Sequence, residues 1–100
     1  MRPGEPASGI DVRRATIGNT FGDSWSRTAI DQRTRAMLTV AISATLGTHV
    51  PLRGHLEMAL HLGVTKDELV DVFVHLAAYA GAPLAFSGYQ VALDVFEAQA

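Results

Sequence analysis

The sequence predicts an all-α fold, a bundle of four main helices preceded by a short N-terminal helix. Two observations carry this. Apolar residues recur at helical spacing through four stretches, and glycine or proline marks each boundary between them. No stretch alternates strictly enough to be a strand. The 100 residues leave room for one domain, expected over residues 11–98. Residues 1–10 are rich in Pro and Gly and are expected to form a flexible tail.

In chain order, a short helix is expected from Asp11 to Ile17, followed by an irregular stretch from Gly18 to Ile30. Asp31 is placed to cap the first long helix, Gln32 to Leu46, and Gly47 stops it. Pro51 suits the first position of the next helix, which runs to Leu62 and closes at Gly63. Thr65-Lys66-Asp67-Glu68 reads as a capping box, with Val64 and Leu69 spaced as a hydrophobic staple. This third long helix continues to Ala80 and Gly81. Pro83 opens the last helix, which reaches about Glu97.

Hydrophobic residues make up 48% of the chain and the mean hydropathy is +0.17. A domain of this size buries only roughly 60–65% of its unfolded surface, so the apolar excess is expected to be buried between subunits. The third long helix gives that excess a location. From Leu69 to Ala80 it leaves hardly any polar arc beyond Asp67, Asp71 and His75. A helix apolar nearly all round is buried nearly all round, so it is expected at the centre of a subunit interface; the middle of a compact bundle is the alternative.

Eight basic against ten acidic residues give a net charge of −2, which argues against nucleic acid as a partner. Residues 1–50 carry net +2 and residues 51–100 net −4. That split suits head-to-tail association or an arginine-lined pocket for an anionic ligand. The absence of cysteine excludes disulfides, thiolate metal sites and thiol nucleophiles. No run is long enough to span a bilayer, and the start lacks the apolar core of a secretory signal, so the cytoplasm is the expected location.

Of the four histidines, His61 shares a polar stripe with Arg53 and Glu57 at i, i+4 and i+8 and reads as a surface residue. His55 points about 200° away from both of them, onto a face with Leu52, Met58, Ala59 and Leu62. An imidazole there is either a satisfied core histidine or a general acid or base facing a cavity. His75 follows Asp71 by four, so the carboxylate is in reach to orient it; the two could equally be the helix's polar edge. His49, between Gly47 and Pro51, is a candidate for capping the next helix or lining a pocket mouth. His49, His55 and His61 are six apart, which scatters their rings, so no metal site is expected. Gly47 to Gly54 lacks the lysine and spacing of a phosphate-binding loop.

Trp25 lies in the irregular stretch and could wall a pocket or cover a thin core. Arg33 and Arg35 stand in the first turn of a helix, where cations oppose the helix dipole. That placement points to use in an ion pair, an interface or a carboxylate clamp.

Four segments together resemble the carboxymuconolactone decarboxylase family: Asp31-Gln32-Arg33-Thr34-Arg35, Leu52-Arg53-Gly54-His55, Gly63-Val64-Thr65-Lys66-Asp67-Glu68-Leu69, and His75-Leu76-Ala77-Ala78-Tyr79-Ala80-Gly81-Ala82-Pro83. The resemblance covers residues 9–98 and implies the AhpD-like helical fold, assembled as a symmetric homo-oligomer, a trimer or hexamer. The peroxidase branch of that fold carries C-x-x-C-x-x-x-H where this chain has Thr48, Pro51 and His55. The histidine is kept and both thiols are absent, which leaves the decarboxylase branch.

The resemblance then implies loss of CO2 from 4-carboxymuconolactone or a similar small anionic lactone, with no cofactor, because the conjugated carbonyl accepts the electrons. His55 would deliver the proton; Arg33, Arg35 or Arg53 would hold carboxylates, with Trp25, His49 and His75 as further pocket residues. Arg53 projects opposite His55 and is expected to reach a neighbouring subunit's site. Relatives carry a further helical segment where only Asn19 to Asp23 bridge the gap here, and Gly54 replaces a bulkier residue before the histidine. Both departures imply a more open pocket. The rival readings are a tailoring enzyme of secondary metabolism using the same histidine, and a non-catalytic oligomeric scaffold or binding module.

Overall fold

The structure, a computed structural model, describes residues 2–18 and 20–99. Asn19, at the start of the short bridge, lies outside the described residues. The chain divides into two units, Met1–Ile30 and Asp31–Ala100.

In the first unit α1 spans Gly9–Arg13 and is followed by single turns of π-helix at Arg14–Gly18 and Thr20–Ser24. Helical structure therefore begins inside the expected tail and extends into the stretch expected to be irregular. The Arg13 guanidinium donates to both Glu5 carboxylate oxygens, at 2.5 and 3.1 Å, which pins the chain start over α1. Gly9 permits this, because a Cβ there would overlap the Glu5 side chain. Ile10, Val12 and Ile17 are exposed.

The second unit is a four-helix bundle of α2 (Gln32–Thr45), α3 (His49–His61), α4 (Lys66–Ala80) and α5 (Ala82–Ala98). Its caps are local chemistry. The Asp31 carboxylate accepts the Thr34 backbone N–H at 2.6 Å. The capping box closes in both directions: Glu68 N–H donates to Thr65 Oγ1 at 3.1 Å, and Thr65 N–H donates to Glu68 Oε1 at 2.9 Å. Val64 and Leu69 are buried as its staple. Gly47 and Gly63 turn the chain at positive φ, 71° and 90°, where a side chain would strain the backbone.

In the bundle the start of α3 differs most from expectation, the other helix ends by a single residue. Helix α3 begins at His49, two residues before Pro51, because Thr48 turns back on α2 with both its N–H and its hydroxyl donating to the Ser43 carbonyl. Pro51 still falls in the first turn, where its missing N–H costs nothing.

Helices α2 and α5 each pack against both α3 and α4 and touch one another across the bundle. The core between them is formed by Val40, Leu52, Leu56, Leu69, Phe73, Ala92 and Val95. At its centre is Gly88 of α5: a Cβ there would lie 3.0 Å from the Phe73 ring, 3.1 Å from Ala44 and 3.4 Å from Leu52. Glycine is what lets α5 approach three helices at once. Burial of α4 within this unit is one-sided. Leu69, Phe73 and Leu76 are inside, whereas Val74 and Tyr79 are 65% and 82% exposed. The expected all-round burial is therefore not met by this bundle itself.

Candidate active site

On α3, Leu52, Leu56 and Ala59 are fully buried and mark the seam turned into the bundle. Helical geometry places His49 about 60° to one side of Leu52 and His55 about 60° to the other. His49 Nε2 lies 3.0 Å from Ser87 Oγ of α5, so the His49 flank faces α5. Since α3 packs between α5 and α2, the His55 flank faces α2. His55 is half-buried and has no hydrogen-bond partner among the described residues. Burial alone pushes its imidazole below the ordinary histidine pKa.

The same reasoning orients α2. Thr34, Met37, Leu38 and Ala41 line a groove shared with α4. Arg35 lies roughly 110° around the helix from that row, on the flank toward α3. Thr39 follows it one turn later and donates to the Arg35 carbonyl at 2.8 Å. Arg35 and Thr39 are both half-buried. The short turn joining α2 and α3 makes them antiparallel neighbours, so α3 carries His55 beside the helix that carries Arg35. The α2–α3 seam therefore carries a cation on one side and a desolvated imidazole on the other. Its outer margin on α2 is apolar, with Ile42 and Leu46 exposed.

The remaining candidates are elsewhere. Arg33 turns to the opposite flank of α2 and forms an ion pair with Glu68; it also donates to the Gly63 carbonyl at 3.4 Å. Arg53 sits on the outer surface of α3, 4.0 Å from Glu57, and His61 is exposed on the same stripe. His75 is not held by Asp71. No hydrogen bond or ion pair joins them, and the imidazole instead lies 4.9 Å from the Tyr79 ring. Trp25 is half-buried in the first unit.

His75, Asp71, Glu68 and Tyr79 contribute to the α2–α4 groove, about 530 Å³ in volume. Its two carboxylates make it a poor receptor for an anion, and His55 is not among its lining residues. A second groove of about 340 Å³ between α4 and α5, lined by Val70, Phe73, Val74, Phe86 and Tyr89, has no charged lining residue. Among the described residues no three His, Asp or Glu side chains converge as metal ligands, and no helix is long and apolar enough to cross a membrane.

Sequence reasoning missed Ser87 as the partner of His49 and Glu68 as the partner of Arg33, contacts that span 38 and 35 positions. Thr39 was findable, because it stands one helical turn from Arg35.

The profile of the carboxymuconolactone decarboxylase family matches residues 11–94. The chain is 38% identical over 77 residues to the 4-carboxymuconolactone decarboxylase of Acinetobacter baylyi, covering 77% of this chain and 58% of that protein. It is 30% identical over 63 residues to a nitrosuccinic acid decarboxylase of Metarhizium robertsii, covering 63% of this chain and 44% of that protein. It is 27% identical over 78 residues to an uncharacterised 15.0 kDa protein of Paracoccus denitrificans, covering 76% and 58% respectively. The chain thus spans about half the length of the curated relatives it matches.

Proposed function

The chain belongs to the carboxymuconolactone decarboxylase family, and from that premise we propose that it is a decarboxylase acting at the α2–α3 seam, with His55 as proton donor and Arg35 as carboxylate anchor. One observation supports the reading: a half-buried imidazole, with no hydrogen bond among the described residues, is carried by the helix packed against α2, on which Arg35 stands.

The substrate is a small acid whose departing carboxylate is on a carbon adjacent, directly or through a double bond, to an electron-withdrawing group that can accept the electron pair of the breaking bond. The substrates named for two relatives, a carboxylated lactone and nitrosuccinic acid, both fit that description. As the bond to CO2 breaks, its electron pair moves onto the lactone carbonyl or equivalent group. The remaining demands on the protein are to hold the substrate, stabilise the developing anion and supply one proton. Arg35 holds a retained carboxylate through its planar fork of donors. His55 delivers the proton from its ring nitrogen. The arriving carboxylate favours the charged imidazolium, and so opposes the effect of burial on its pKa.

Exposed Val74, Tyr79, Phe86 and Leu38 support assembly of the chain into a homo-oligomer. Light scattering after size exclusion tests this, and a 10.7 kDa monomer would contradict it.

The function is tested by a panel of 4-carboxymuconolactone, nitrosuccinate and related acids, monitored for CO2 release with and without chelator. Turnover of at least one acid, unaffected by chelator, is the expected result. A folded protein that releases CO2 from none of them overturns the proposal.

A further inference from the structure

The face of α2 turned away from the buried Ala36, Val40, Ser43 and Ala44 carries Leu38, Ile42 and Leu46, which are 47%, 58% and 70% exposed. Thr45, beside them, bonds its hydroxyl back to the Ala41 carbonyl at 2.7 Å. From Leu38 to Leu46 this face bears no charge. The solvent faces of α3 and α5 differ: one carries Arg53, Glu57 and His61, the other Gln90, Asp94 and Glu97. A contiguous exposed apolar row of this kind is a contact surface rather than a solvated one.

Two features name the neighbour. The first is symmetry. Leu38, Ile42 and Leu46 are four apart, so the row reads the same from either end and forms a single ridge of the kind that packs helix on helix. Laid antiparallel on a copy of itself, it sets Ile42 against Ile42 at the two-fold axis and Leu38 against Leu46 of the partner subunit.

The second is charge. The cation on this side of α2, Arg35, stands in the first turn, where it opposes the dipole of its own helix. At the other end, the carbonyls of Thr45, Leu46 and Gly47 accept no backbone hydrogen bond among the described residues. Antiparallel pairing brings each Arg35 to that end of the other helix, where a cation and unfilled acceptors complement one another. A guanidinium has five donors, so Arg35 can serve these carbonyls and the α2–α3 seam at once.

We infer that two copies of the chain pair through the outer faces of α2, about a two-fold axis at Ile42. The inference rests on the assembly proposed above and gives it a face, a symmetry and an even number of chains.

The test uses the full chain in solution. Light scattering after size exclusion is expected to give wild type an even multiple of the 10.7 kDa chain mass. Ile42→Glu halves that mass with helicity unchanged, because residue 42 is exposed in the single chain. Arg35→Glu raises the dissociation constant of pairing by about tenfold or more, since each pair contains two such contacts. The chain has no cysteine, so one introduced thiol reports only on its own copy. With a bis-maleimide of about 10 Å reach, the spacing of packed helices, Ile42→Cys is expected to form a covalent dimer. Glu57→Cys, on the polar face of α3, gives the level of linking by chance collision. A wild-type monomer contradicts the assembly and this inference with it. An assembled wild type with an odd number of chains overturns this inference alone, as does a mass that Ile42→Glu leaves unchanged. Pairing undiminished in Arg35→Glu, or linking of Ile42→Cys no greater than that of Glu57→Cys, also overturns it.

Discussion

Arg33 and Glu68 form an ion pair that ties the first turn of α2 to the first turn of α4, 35 positions away, and the same carboxylate accepts the Thr65 N–H that closes the α4 capping box. One acidic side chain thus serves a helix end and a helix–helix joint. It also explains why a cation stands in the first turn of α2 against the helix dipole: its partner is on another helix.

The Arg33 guanidinium and the Thr65 N–H hold the Glu68 carboxyl down to about 2. In the unfolded chain this carboxyl takes up a proton at its ordinary, higher pKa, so on acidification the unfolded state binds the proton first. The stabilisation is therefore present above the ordinary carboxylate range and is lost as pH falls through that range toward 2. Melting temperatures of Glu68→Gln and wild type, followed from pH 7 to pH 2, are expected to converge at the acid end and differ most at neutral pH. A constant difference across the range would contradict this origin.

The two arginines of α2 are expected to respond differently to removal of charge. Arg33→Met breaks the joint to Glu68 and registers as a lower Tm. Arg35→Met removes the proposed carboxylate anchor and registers as a KM raised by about tenfold or more, the scale of a charged hydrogen bond. Steady-state kinetics beside thermal melts separate the two. A KM effect confined to Arg33→Met would move the anchor to the α2–α4 side.

Burial pushes the His55 imidazole below its ordinary pKa, so the free protein loses the imidazolium as pH rises through that lowered value. If His55 donates the proton, kcat/KM declines over the same interval, with its midpoint on the acid side of an ordinary histidine. An NMR titration of the His55 ring supplies the independent midpoint. A His55 that titrates at or above the ordinary histidine range would remove the desolvation argument.

Gly88→Ala is expected to lower Tm by about 4–8 °C, corresponding to roughly 1 kcal/mol of overpacking in a domain of this size. Phe73, Ala44 and Leu52 belong to three different helices, so no single adjustment makes room for the added methyl. A Tm equal to or above that of wild type would show that these helices yield more easily than the packing implies.

What was legible in the sequence was local. Asp31, the Thr65–Glu68 box and the glycines at 47, 63 and 81 specify helix ends through bonds or backbone angles within a few residues, and the bundle has those ends. The flank of α3 that carries His55 was legible too, because helical periodicity separates it from Arg53 and Glu57. The rest depended on distant partners. Nothing local distinguishes Arg33, joined to Glu68, from Arg35 on the opposite flank. Spacing alone paired Asp71 with His75, but both are exposed and the ring lies against Tyr79 instead. Gly54 and Gly88 look alike as helix-interior glycines, and only the packing of four helices tells a crowded position from an open one.

The central claim is that His55 supplies the proton that completes decarboxylation. The most direct test is the rate of CO2 release by His55→Ala on the acid from the substrate panel that wild type turns over best, with helicity and assembly mass checked against wild type. A folded, equally assembled variant slowed by about 100-fold or more is the expected result, the scale of a lost general acid. Turnover within about threefold of wild type would contradict the account and place the proton donor elsewhere.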